Sequence, residues 1–374
     1  MKALRSEVKP AELLARIVRP PVLDLPRYEG PAVGGDQAIG LIRLASNENP
    51  LGAGRKAQQA VTEVLGELGR YPNGDGTALR EAIAARQGVE IDQVMIGTGS
   101  NEILELVAEL CLSPGYSAVY SEYSFAIYPL VVKAKGAEGI AAPALNYAHD
   151  SEALLDSVTA NTRVVFIANP NNPTATCLGG DAIRRLLVQL PEELVVVLDQ
   201  AYAEYVLAED YESWSQLQDL HPGLLVTGSF SKMHGLAALR IGYGIGSREL
   251  IGLMERLRQP FNTNMLAQVA AEAALSDPEH LQNSLAVNQT GRKYLLQHLQ
   301  QMEHPGVEIL GVEANFLTFR THQPADPLCA KLLERGVLVR SLRSYQMPYH
   351  VRVTIGLAEE NAAFISALHH ALME

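Results

Sequence analysis

The segment LLVTGSFSKMHGLAALRIGYGI, residues 224–245, places a lysine between two predicted strands. Leu224–Gly228 and Ile241–Ile245 are apolar runs of strand length, and Lys232 lies in the connection among glycine and serine residues. A lysine in such a connection is usually exposed on a surface loop, because lysine is rarely buried. The residues around Lys232 favour a different interpretation.

Hydroxyl groups and a guanidinium surround this lysine in the sequence. Ser229 and Ser231 flank it, and Arg240 follows eight positions after Lys232. An amine forms a Schiff base with an aldehyde, while hydroxyls and a guanidinium bind a phosphate group. The segment therefore predicts a covalent site for a phosphate-bearing aldehyde.

Strand-like and helix-like segments alternate on the N-terminal side of this segment. The apolar runs of strand length are Val94–Ile96, Tyr116–Tyr120, Arg163–Ala168 and Leu194–Leu198. The segments with apolar residues at helical spacing are Ser100–Leu112 and Gly180–Leu190. Buried strands separated by helices predict an α/β fold with a mostly parallel central sheet sandwiched by helices.

The pattern changes after residue 265, where long helices dominate. These helices are predicted at Leu266–Leu275, Val287–Met302 and Glu359–Leu372. We therefore expect a large cofactor-binding domain over residues 47–265 and a smaller α+β domain over residues 266–374. The Pro-rich N-terminal segment, residues 1–46, is expected to join the smaller domain.

Polar clusters stand where the predicted strands stop. They are Gly97–Ser100, Asn169–Thr174, Asp199 and Ser229–Lys232. Ligands of parallel sheets bind beyond the carboxyl ends of the strands, so these clusters are expected to converge on one crevice. Gly99, Ser100 and Asn101 stand at a strand-to-helix junction, where free backbone N–H groups can bind an anion.

Asp199 and nearby side chains fit the ring of an aromatic cofactor. A carboxylate at a strand end often caps a helix, but a partly buried one can keep a pyridine nitrogen protonated. Tyr202 and Asn172 could bond a phenolate oxygen on such a ring, and Tyr123 could stack on it. A simple turn around Asn172 and a packed core tyrosine at Tyr123 are the alternatives. With Lys232, the set indicates pyridoxal 5′-phosphate (PLP), a phosphorylated pyridine aldehyde.

Composition excludes several classes of function. The chain has 374 residues and a formal net charge of −12, which argues against nucleic acid or an anionic membrane as the main partner. Cys111, Cys177 and Cys329 are too few and too scattered for a disulfide framework or a zinc site, so we expect free thiols and no metal. No secretory signal or apolar run of membrane length is visible, and a cytoplasmic location is expected.

Several motifs, in their order, resemble those of the fold-type I PLP-dependent aminotransferases, and more narrowly of the histidinol-phosphate aminotransferases. The resemblance spans roughly residues 44–365. The matching stretches are LASNENPLG (44–52), RYP (70–72), NPNNPT (169–174), DQAY (199–202), SFSK (229–232) with Arg240, and VRVTIG (351–356).

The resemblance implies roles around the cofactor. Lys232 would bind the aldehyde and shuttle the proton, Asp199 would pair with the pyridine nitrogen, and Tyr202 would act with Asn172 on the phenolate oxygen. Tyr123 would stack on the ring. The residues implied around the phosphate are Gly99, Ser100, Asn101, Ser229, Ser231 and Arg240.

It also implies contacts to a partner subunit and to substrate. Tyr71 would reach the phosphate in the neighbouring subunit, which implies a homodimer with shared sites. Arg352 would clamp the substrate carboxylate, and Arg340 would contact the phosphate of histidinol phosphate. Tyr28 would serve the same phosphate across the dimer, and Asn49 is placed on the substrate side as well.

Four positions depart from the family pattern. Ala175 replaces the glycine of NNPTG, and Gln200 replaces the glutamate of DEAY. Gln346 stands where related sequences often have glycine, and Met265 stands where a serine is common. These positions lie on loops near the substrate, so they bear on substrate choice more than on the cofactor.

The implied reaction is transamination of L-histidinol phosphate with 2-oxoglutarate in histidine biosynthesis. Two alternatives keep the cofactor, namely an aromatic amino-acid aminotransferase and a phospho-amino-acid decarboxylase. A third is a PLP-fold transcription regulator, which needs a DNA-binding domain. The 43 residues before Leu44 lack a basic recognition helix, which argues against that alternative.

Overall fold

A computed structural model of the protein describes residues 10–26, 40–302 and 307–373. Its α-helices are α1 (Pro10–Ile17), α2 (Pro20–Leu23), α3 (Arg55–Glu63), α4 (Thr77–Gln87), α5 (Ser100–Cys111), α6 (Ile127–Ala134), α7 (Ser151–Asp156), α8 (Gly180–Gln189), α9 (Trp214–Leu217), α10 (Arg248–Met254), α11 (Met265–Leu275), α12 (Pro278–Gln301), α13 (Ala325–Glu334) and α14 (Ala358–Met373). Its strands are β1 (Ile42–Arg43), β2 (Val94–Gly97), β3 (Ser117–Ser121), β4 (Glu138–Ala142), β5 (Thr162–Ala168), β6 (Val195–Asp199), β7 (Leu224–Ser229), β8 (Gly242–Gly246), β9 (Glu308–Gly311), β10 (Phe316–Arg320), β11 (Val337–Leu338), β12 (Arg340–Ser341) and β13 (His350–Thr354). None of the helices within these ranges is long and apolar enough to cross a membrane.

A seven-stranded sheet in the order β2-β8-β7-β6-β5-β3-β4 forms the centre of the molecule. Strands β3 to β7 pair in parallel with their neighbours, whereas β8 is antiparallel to both β2 and β7. The carboxyl ends of β2, β5, β6 and β7 therefore meet the amino end of β8 at one edge. The predicted mostly parallel sheet is confirmed, and its polar strand ends do converge.

Continuous apolar sequence in the central strands reflects burial on both faces of this sheet. In β5, Val165 and Ile167 belong to one hydrophobic cluster, while Val164 and Phe166 belong to the other. All four side chains are at most 1% exposed. Because successive side chains of a strand point to opposite faces, a strand with helices on both sides needs apolar residues at every position.

A four-stranded antiparallel sheet, in the order β12-β13-β10-β9, lies in the C-terminal part of the chain. Val351 and Val353 of β13 pack with Phe364 and Leu368 of α14 in a separate hydrophobic cluster. The alternate residue Arg352 faces the other way, toward the carboxyl edge of the central sheet.

The N-terminal part of the described chain reaches this region through β1, which pairs in parallel with β11. The proposed division into residues 1–46, 47–265 and 266–374 stays a prediction. The start predicted for the long helix at Val287 was wrong, because α12 begins at Pro278. The side chain of Asp277 caps it by accepting a hydrogen bond from the backbone N–H of His280, and proline suits the first helical position.

Candidate active site

A cavity of about 200 Å³ opens where the polar strand ends converge. Its walls come from the central sheet, the lysine segment, the N-terminal segment and the small sheet. The lining residues are Ala45, Ser46, Asn47, Gly99, Ser100, Asn101, Phe125, Ala168, Pro170, Asn172, Asp199, Ala201, Tyr202, Ser229, Ser231, Lys232, Ala237, Arg240, Arg340, Tyr345 and Arg352.

Lys232 projects into this cavity from the connection between β7 and β8. Its Nζ donates a hydrogen bond of 3.1 Å to the carbonyl oxygen of Ser46 and lies 5.7 Å from the centre of the Tyr202 ring. Burial, and then the positive charge of Arg352, lower the pKa of the Lys232 amine to about 8. A sizeable fraction of this amine is therefore neutral, and hence nucleophilic, near physiological pH.

A glycine holds the lysine connection close to the backbone of Gly52. Gly235 has φ +67°, and a Cβ atom there would lie 1.9 Å from the carbonyl oxygen of Gly52. No other residue fits this position without moving the backbone of one segment, because the contact is with main chain. The position of Lys232 thus depends on packing against residues far away in the sequence.

Asp199 ends β6 as a buried carboxylate with neutral partners. It is 5% exposed. Its Oδ2 accepts a hydrogen bond of 3.0 Å from the Tyr128 hydroxyl, and its Oδ1 accepts bonds from the Thr227 hydroxyl at 3.0 Å and the Ala201 amide at 3.2 Å. Burial raises the pKa of Asp199, and these donors lower it again in part. Such a carboxylate is suited to pair with a cation bound in the cavity.

The start of α5 faces Arg240 at one end of the cavity. Gly99 precedes the helix with φ +84°, and a Cβ atom there would lie 2.7 Å from Nη2 of Arg240. Glycine therefore allows the guanidinium to approach the N-terminus of this twelve-residue helix. Free N–H groups at Ser100 and Asn101, beside a guanidinium, form a binding site for a doubly charged phosphate.

Two serine hydroxyls complete this end of the cavity. Nη1 of Arg240 donates to Oγ of Ser231 at 3.4 Å, and the Ser231 amide donates to Oγ of Ser229 at 3.1 Å. The amino end of β8, where Arg240 stands, lies at this edge only because β8 is antiparallel. The structure therefore brings together all six residues that the sequence assigned to the phosphate.

Arg352 is a buried cation on the opposite side of the cavity. It is 7% exposed, and its guanidinium carbon lies 5.3 Å from the centre of the Phe316 ring. Nη1 donates to Oδ1 of Asn172 at 2.6 Å, and Nη2 donates to the carbonyl oxygen of Ala45 at 2.7 Å. Neither partner is charged, so the guanidinium is oriented without being neutralised and can receive an anion.

Arg340 adds a second cation beside the first. It lines the cavity and stands opposite Arg352 in the β12–β13 pair. Residues directly opposite in an antiparallel pair point to the same face of the sheet. The small sheet therefore presents two arginines to one end of a substrate.

Tyr202 lies next to Lys232 and is held by a hydrogen bond from Asn47. Its hydroxyl accepts a hydrogen bond of 3.0 Å from Nδ2 of Asn47, and burial raises its pKa to about 12. The phenol is therefore neutral at physiological pH and keeps its proton for donation to an oxygen in the cavity.

Tyr123 and Tyr71 do not line this cavity, and Tyr71 is expected to act in the neighbouring subunit. The ring of Tyr123 packs against Tyr147, with centroids 4.9 Å apart, and among the described residues it is Phe125 that lines the cavity at this point. Tyr71 is 79% exposed and its ring stacks on Phe261 at 4.7 Å. Tyr28 lies outside the described residues.

Asn49, which the resemblance placed on the substrate side, is not among the described residues that line the cavity. Its Nδ2 donates to the carbonyl oxygen of Met233 at 2.8 Å and to the Ser284 hydroxyl at 2.9 Å, and its Oδ1 accepts from the Leu51 amide. These bonds use its amide to fasten the N-terminal segment beneath the lysine connection. Asn47, two residues earlier, lines the cavity instead.

Sequence reasoning missed Asn47, Phe125, Tyr128, Thr227 and Tyr345. Asn47 stands inside the quoted LASNENPLG motif, and Phe125 stands two residues after Tyr123, so both had a signal nearby. Tyr128 and Thr227 had none, because only the folded chain brings their hydroxyls to Asp199.

The residues present fit PLP. An amine with a lowered pKa, a buried carboxylate with neutral partners and an anion site with a guanidinium lie around one cavity. They match the aldehyde, the pyridinium nitrogen and the phosphate respectively. Asp199, Lys232 and Arg240 would hold these three groups.

The protein-family model and the known proteins that this chain resembles agree with one another. Residues 39–368 match the protein-family model described as aminotransferase class I and II. Histidinol-phosphate aminotransferase 2 of Nitrosospira multiformis is 46% identical over 335 residues, covering 89% of this chain and 84% of that protein. Histidinol-phosphate aminotransferase 1 of Nitrosococcus oceani is 46% identical over 335 residues, covering 90% of both.

A solved structure shares the fold. The crystal structure of histidinol-phosphate aminotransferase from Sinorhizobium meliloti in complex with pyridoxal 5′-phosphate aligns with a TM-score of 0.87 at 22% identity. The alignment covers 95% of this chain and 97% of that one, so both sheets and their helices correspond.

Proposed function

The chain belongs to the class I and II aminotransferases, and within them to the histidinol-phosphate aminotransferases, and on this premise we propose a specific reaction. The enzyme has the fold-type I architecture and uses PLP as its cofactor. It transfers the amino group of L-histidinol phosphate to 2-oxoglutarate, giving imidazole-acetol phosphate and glutamate, in histidine biosynthesis. One observation carries this proposal: Lys232, with a lowered pKa, shares a cavity with buried Asp199 and with the un-neutralised Arg352.

PLP supplies, when bound, an aldehyde that takes up the amino group and a ring that withdraws electrons from the reacting carbon. Asp199 stabilises the positive charge of the ring nitrogen from a site that water does not screen. Tyr202 and Asn172 would bind the phenolic oxygen of the ring, the first as a hydroxyl donor. These contacts fix the plane of the cofactor.

Lys232 moves the proton of the reaction at its Nζ atom. As a neutral amine, it would accept the proton that leaves the amino-bearing carbon of the substrate, and the resulting ammonium would be the acid that completes the proton transfer. The pKa of about 8 is close to physiological pH, where an acid–base group works in both directions. The bond to the Ser46 carbonyl places Nζ at the N-terminal wall of the cavity.

Arg352 and Arg340 bind the anionic end of each substrate. In one half-reaction this end is the phosphate of histidinol phosphate, and in the other it is one of the two carboxylates of glutamate or 2-oxoglutarate. A planar guanidinium forms paired hydrogen bonds with either group. Two arginines at one place can therefore serve two donors of different shape.

We further propose a homodimer in which Tyr71 completes the phosphate site of its partner. This ring is 79% exposed and lies on Phe261, which is itself 45% exposed, so two aromatic rings together form an apolar patch at the surface. Exposed apolar patches of this kind often mark interfaces.

The three free cysteines agree with a proposed location in the reducing cytoplasm.

A substrate panel on the purified, PLP-loaded enzyme tests the reaction. Glutamate formation from 2-oxoglutarate would be measured with L-histidinol phosphate, L-histidinol and L-phenylalanine as donors. We expect kcat/KM for histidinol phosphate to exceed the other two by at least about tenfold, because its phosphate carries more negative charge for the two arginines than the carboxylate of phenylalanine, and histidinol has no anionic group. Equal or faster turnover of phenylalanine would indicate an aromatic aminotransferase instead. Release of carbon dioxide from a phospho-amino acid would indicate a decarboxylase.

A further inference from the structure

We infer that Tyr345 is the residue that selects ring-bearing amino donors, by covering the flat side chain of the donor with its own ring. The inference rests on the transamination proposed above and extends it to a specificity-determining residue. Tyr345 stands in the short turn between β12 and β13 and lines the same cavity as Lys232 and Arg352.

One aromatic residue of the cavity wall comes from the substrate side. Within the described part of the chain, Phe125, Tyr202 and Tyr345 are the aromatic side chains that line the cavity. Phe125 lies in the turn between β3 and α6, and Tyr202 follows β6, so both belong to the central sheet. Tyr345 comes from the small sheet, the side that carries both substrate arginines.

The position of Tyr345 relative to the reacting groups supports this assignment. Tyr345 and Tyr202 both line this cavity, and the Lys232 amine lies 5.7 Å from the centre of the Tyr202 ring. Arg340 stands five residues before Tyr345 and also lines the cavity. A donor held by its anionic end at Arg340 and Arg352 would place its side chain within reach of Tyr345.

The turn that presents Tyr345 is firmly tied. The backbone amides of Tyr345 and Met347 both donate to the carbonyl oxygen of Leu342, at 2.9 and 3.2 Å, and Leu342 in turn donates to His350 at 3.0 Å. Met347 is 1% exposed and anchors the turn in the core. The Arg343 guanidinium bonds the Asp326 carboxylate at 3.0 Å on the outer side. The backbone that carries the ring is therefore fixed, which limits how far the ring can move aside and lets it discriminate between side chains.

The two half-reactions should depend on this ring to different degrees. A planar ring gains contact area and a favourable ring–ring arrangement against Tyr345. Glutamate has no ring, and its binding relies on the arginines. Loss of the Tyr345 ring should therefore lower the preference for ring donors over glutamate.

Single-turnover half-reactions of the PLP-loaded enzyme test this inference. The donors are L-histidinol phosphate, L-phenylalanine and L-glutamate, and the change in cofactor absorbance reports each reaction. Tyr345→Leu should reduce the ratio of kcat/KM for a ring donor to that for glutamate by at least about tenfold. Tyr345→Phe should keep the ratio within about threefold, because it keeps the ring. Tyr349→Leu, at a 42% exposed tyrosine of the same turn, is the matched control and should not change the ratio.

An unchanged ratio in Tyr345→Leu, which means a similar loss of kcat/KM for ring donors and for glutamate, would overturn the inference. Because the readout is a ratio within one protein sample, partial misfolding lowers kcat/KM for all donors alike and leaves the ratio unchanged. Partial misfolding therefore cannot imitate the expected result. Failure of the proposed substrate is separate: wild-type enzyme that converts phenylalanine but not histidinol phosphate refutes that substrate, and the ratio for phenylalanine still decides the role of Tyr345. Wild-type enzyme that converts glutamate alone would refute both.

Discussion

Oδ1 of Asn172 accepts a hydrogen bond of 2.6 Å from Nη1 of Arg352, across 180 positions of sequence. Asn172 follows β5 of the central sheet, and Arg352 belongs to β13 of the small sheet. The bond therefore joins the cofactor side of the cavity to the substrate side. Since Arg352 has no charged partner in the described structure, its orientation depends on this bond and on the one to Ala45.

Replacing Arg352 by lysine should weaken substrate binding far more than cofactor binding. A lysine cannot form the paired bonds to an anion and cannot bond Asn172 and Ala45 at once. We expect kcat/KM for glutamate to fall about a hundredfold or more, with the visible absorbance of bound PLP retained. Arg320→Lys, on the neighbouring strand with its side chain 50% exposed, is the control and should change kcat/KM little. A loss of PLP in Arg352→Lys as large as the loss of activity would contradict the assignment.

The capture of PLP by the apoenzyme should follow the titration of Lys232. Only the neutral amine attacks the aldehyde, and burial followed by the charge of Arg352 lowers its pKa from 10.5 to about 8. The rate of appearance of the bound-cofactor absorbance should therefore rise with pH, with a midpoint at about 8, and level off above that midpoint. Arg352→Gln should shift this midpoint upward, since it removes a positive charge. A midpoint near 10 in the wild type would show that the amine is not perturbed, and Lys232→Ala should give no absorbance at all.

Asp199→Asn should lose activity and make the apoenzyme more stable. Burial raises the pKa of the folded carboxyl, so at neutral pH its ionised form disfavours the folded state relative to the unfolded one, and this cost grows as pH rises through that raised pKa. The neutral amide avoids the cost but cannot hold a ring nitrogen cationic, so kcat should fall about a hundredfold or more. Thermal unfolding of the apoproteins at pH 7 and at about pH 4, close to the ordinary carboxyl pKa of 3.8, checks the first part, and the gain should be larger at pH 7. A lower Tm for the variant at pH 7 would count against a net cost of the charge.

Gln346→Gly should stabilise the protein. Gln346 has φ +61°, a left-handed conformation in which a side chain is strained, and it is exposed. Removing the strain gains about 1–2 kcal/mol, and the greater freedom of glycine in the unfolded chain offsets about 0.4–1 kcal/mol of it. We expect a net increase of about 0.5–1 kcal/mol in the free energy of unfolding, measured by urea denaturation.

A neighbouring substitution controls for this effect. Ser344→Gly lies two residues earlier in the same turn, where φ is not positive, and should destabilise the protein by about 0.5–1 kcal/mol. Ala175→Gly should increase the free energy of unfolding less than Gln346→Gly does. Ala175 is also left-handed, at φ +55°, but its methyl group is completely buried, and its removal loses that burial. Equal effects of Gln346→Gly and Ser344→Gly would refute the explanation.

Mixing two inactive variants should restore activity if the sites are shared between subunits. A heterodimer of Lys232→Ala with Tyr71→Ala contains one site with both residues intact. Random exchange makes half of the dimers mixed, so we expect up to about a quarter of the wild-type activity. No recovery after verified subunit exchange would mean that Tyr71 acts within its own subunit or has no role.

The sequence by itself determined the chemistry of the cofactor site. Asp199 and the Ser229–Lys232 cluster could be chosen because each follows an apolar run, and parallel strands bring such ends to one edge. Arg240 could be chosen because it places a guanidinium eight positions after Lys232. The apolar runs also predicted the central sheet, since β5 to β7 are buried on both faces. β4 escaped prediction because Glu138–Ala142 has little β-branched or alternating character, and it forms by pairing with β3.

Only the tertiary structure decided which of two nearby residues faces the cavity. Phe125 lines it rather than Tyr123, and Asn47 rather than Asn49, although each pair lies within one short segment. These segments are turns, without the fixed period of a strand or helix, so a side chain's direction follows from what the rest of the chain packs against it. The same holds for the Asn172–Arg352 bond and for the hydroxyls on Asp199, because their partners come from elements whose approach no local pattern encodes.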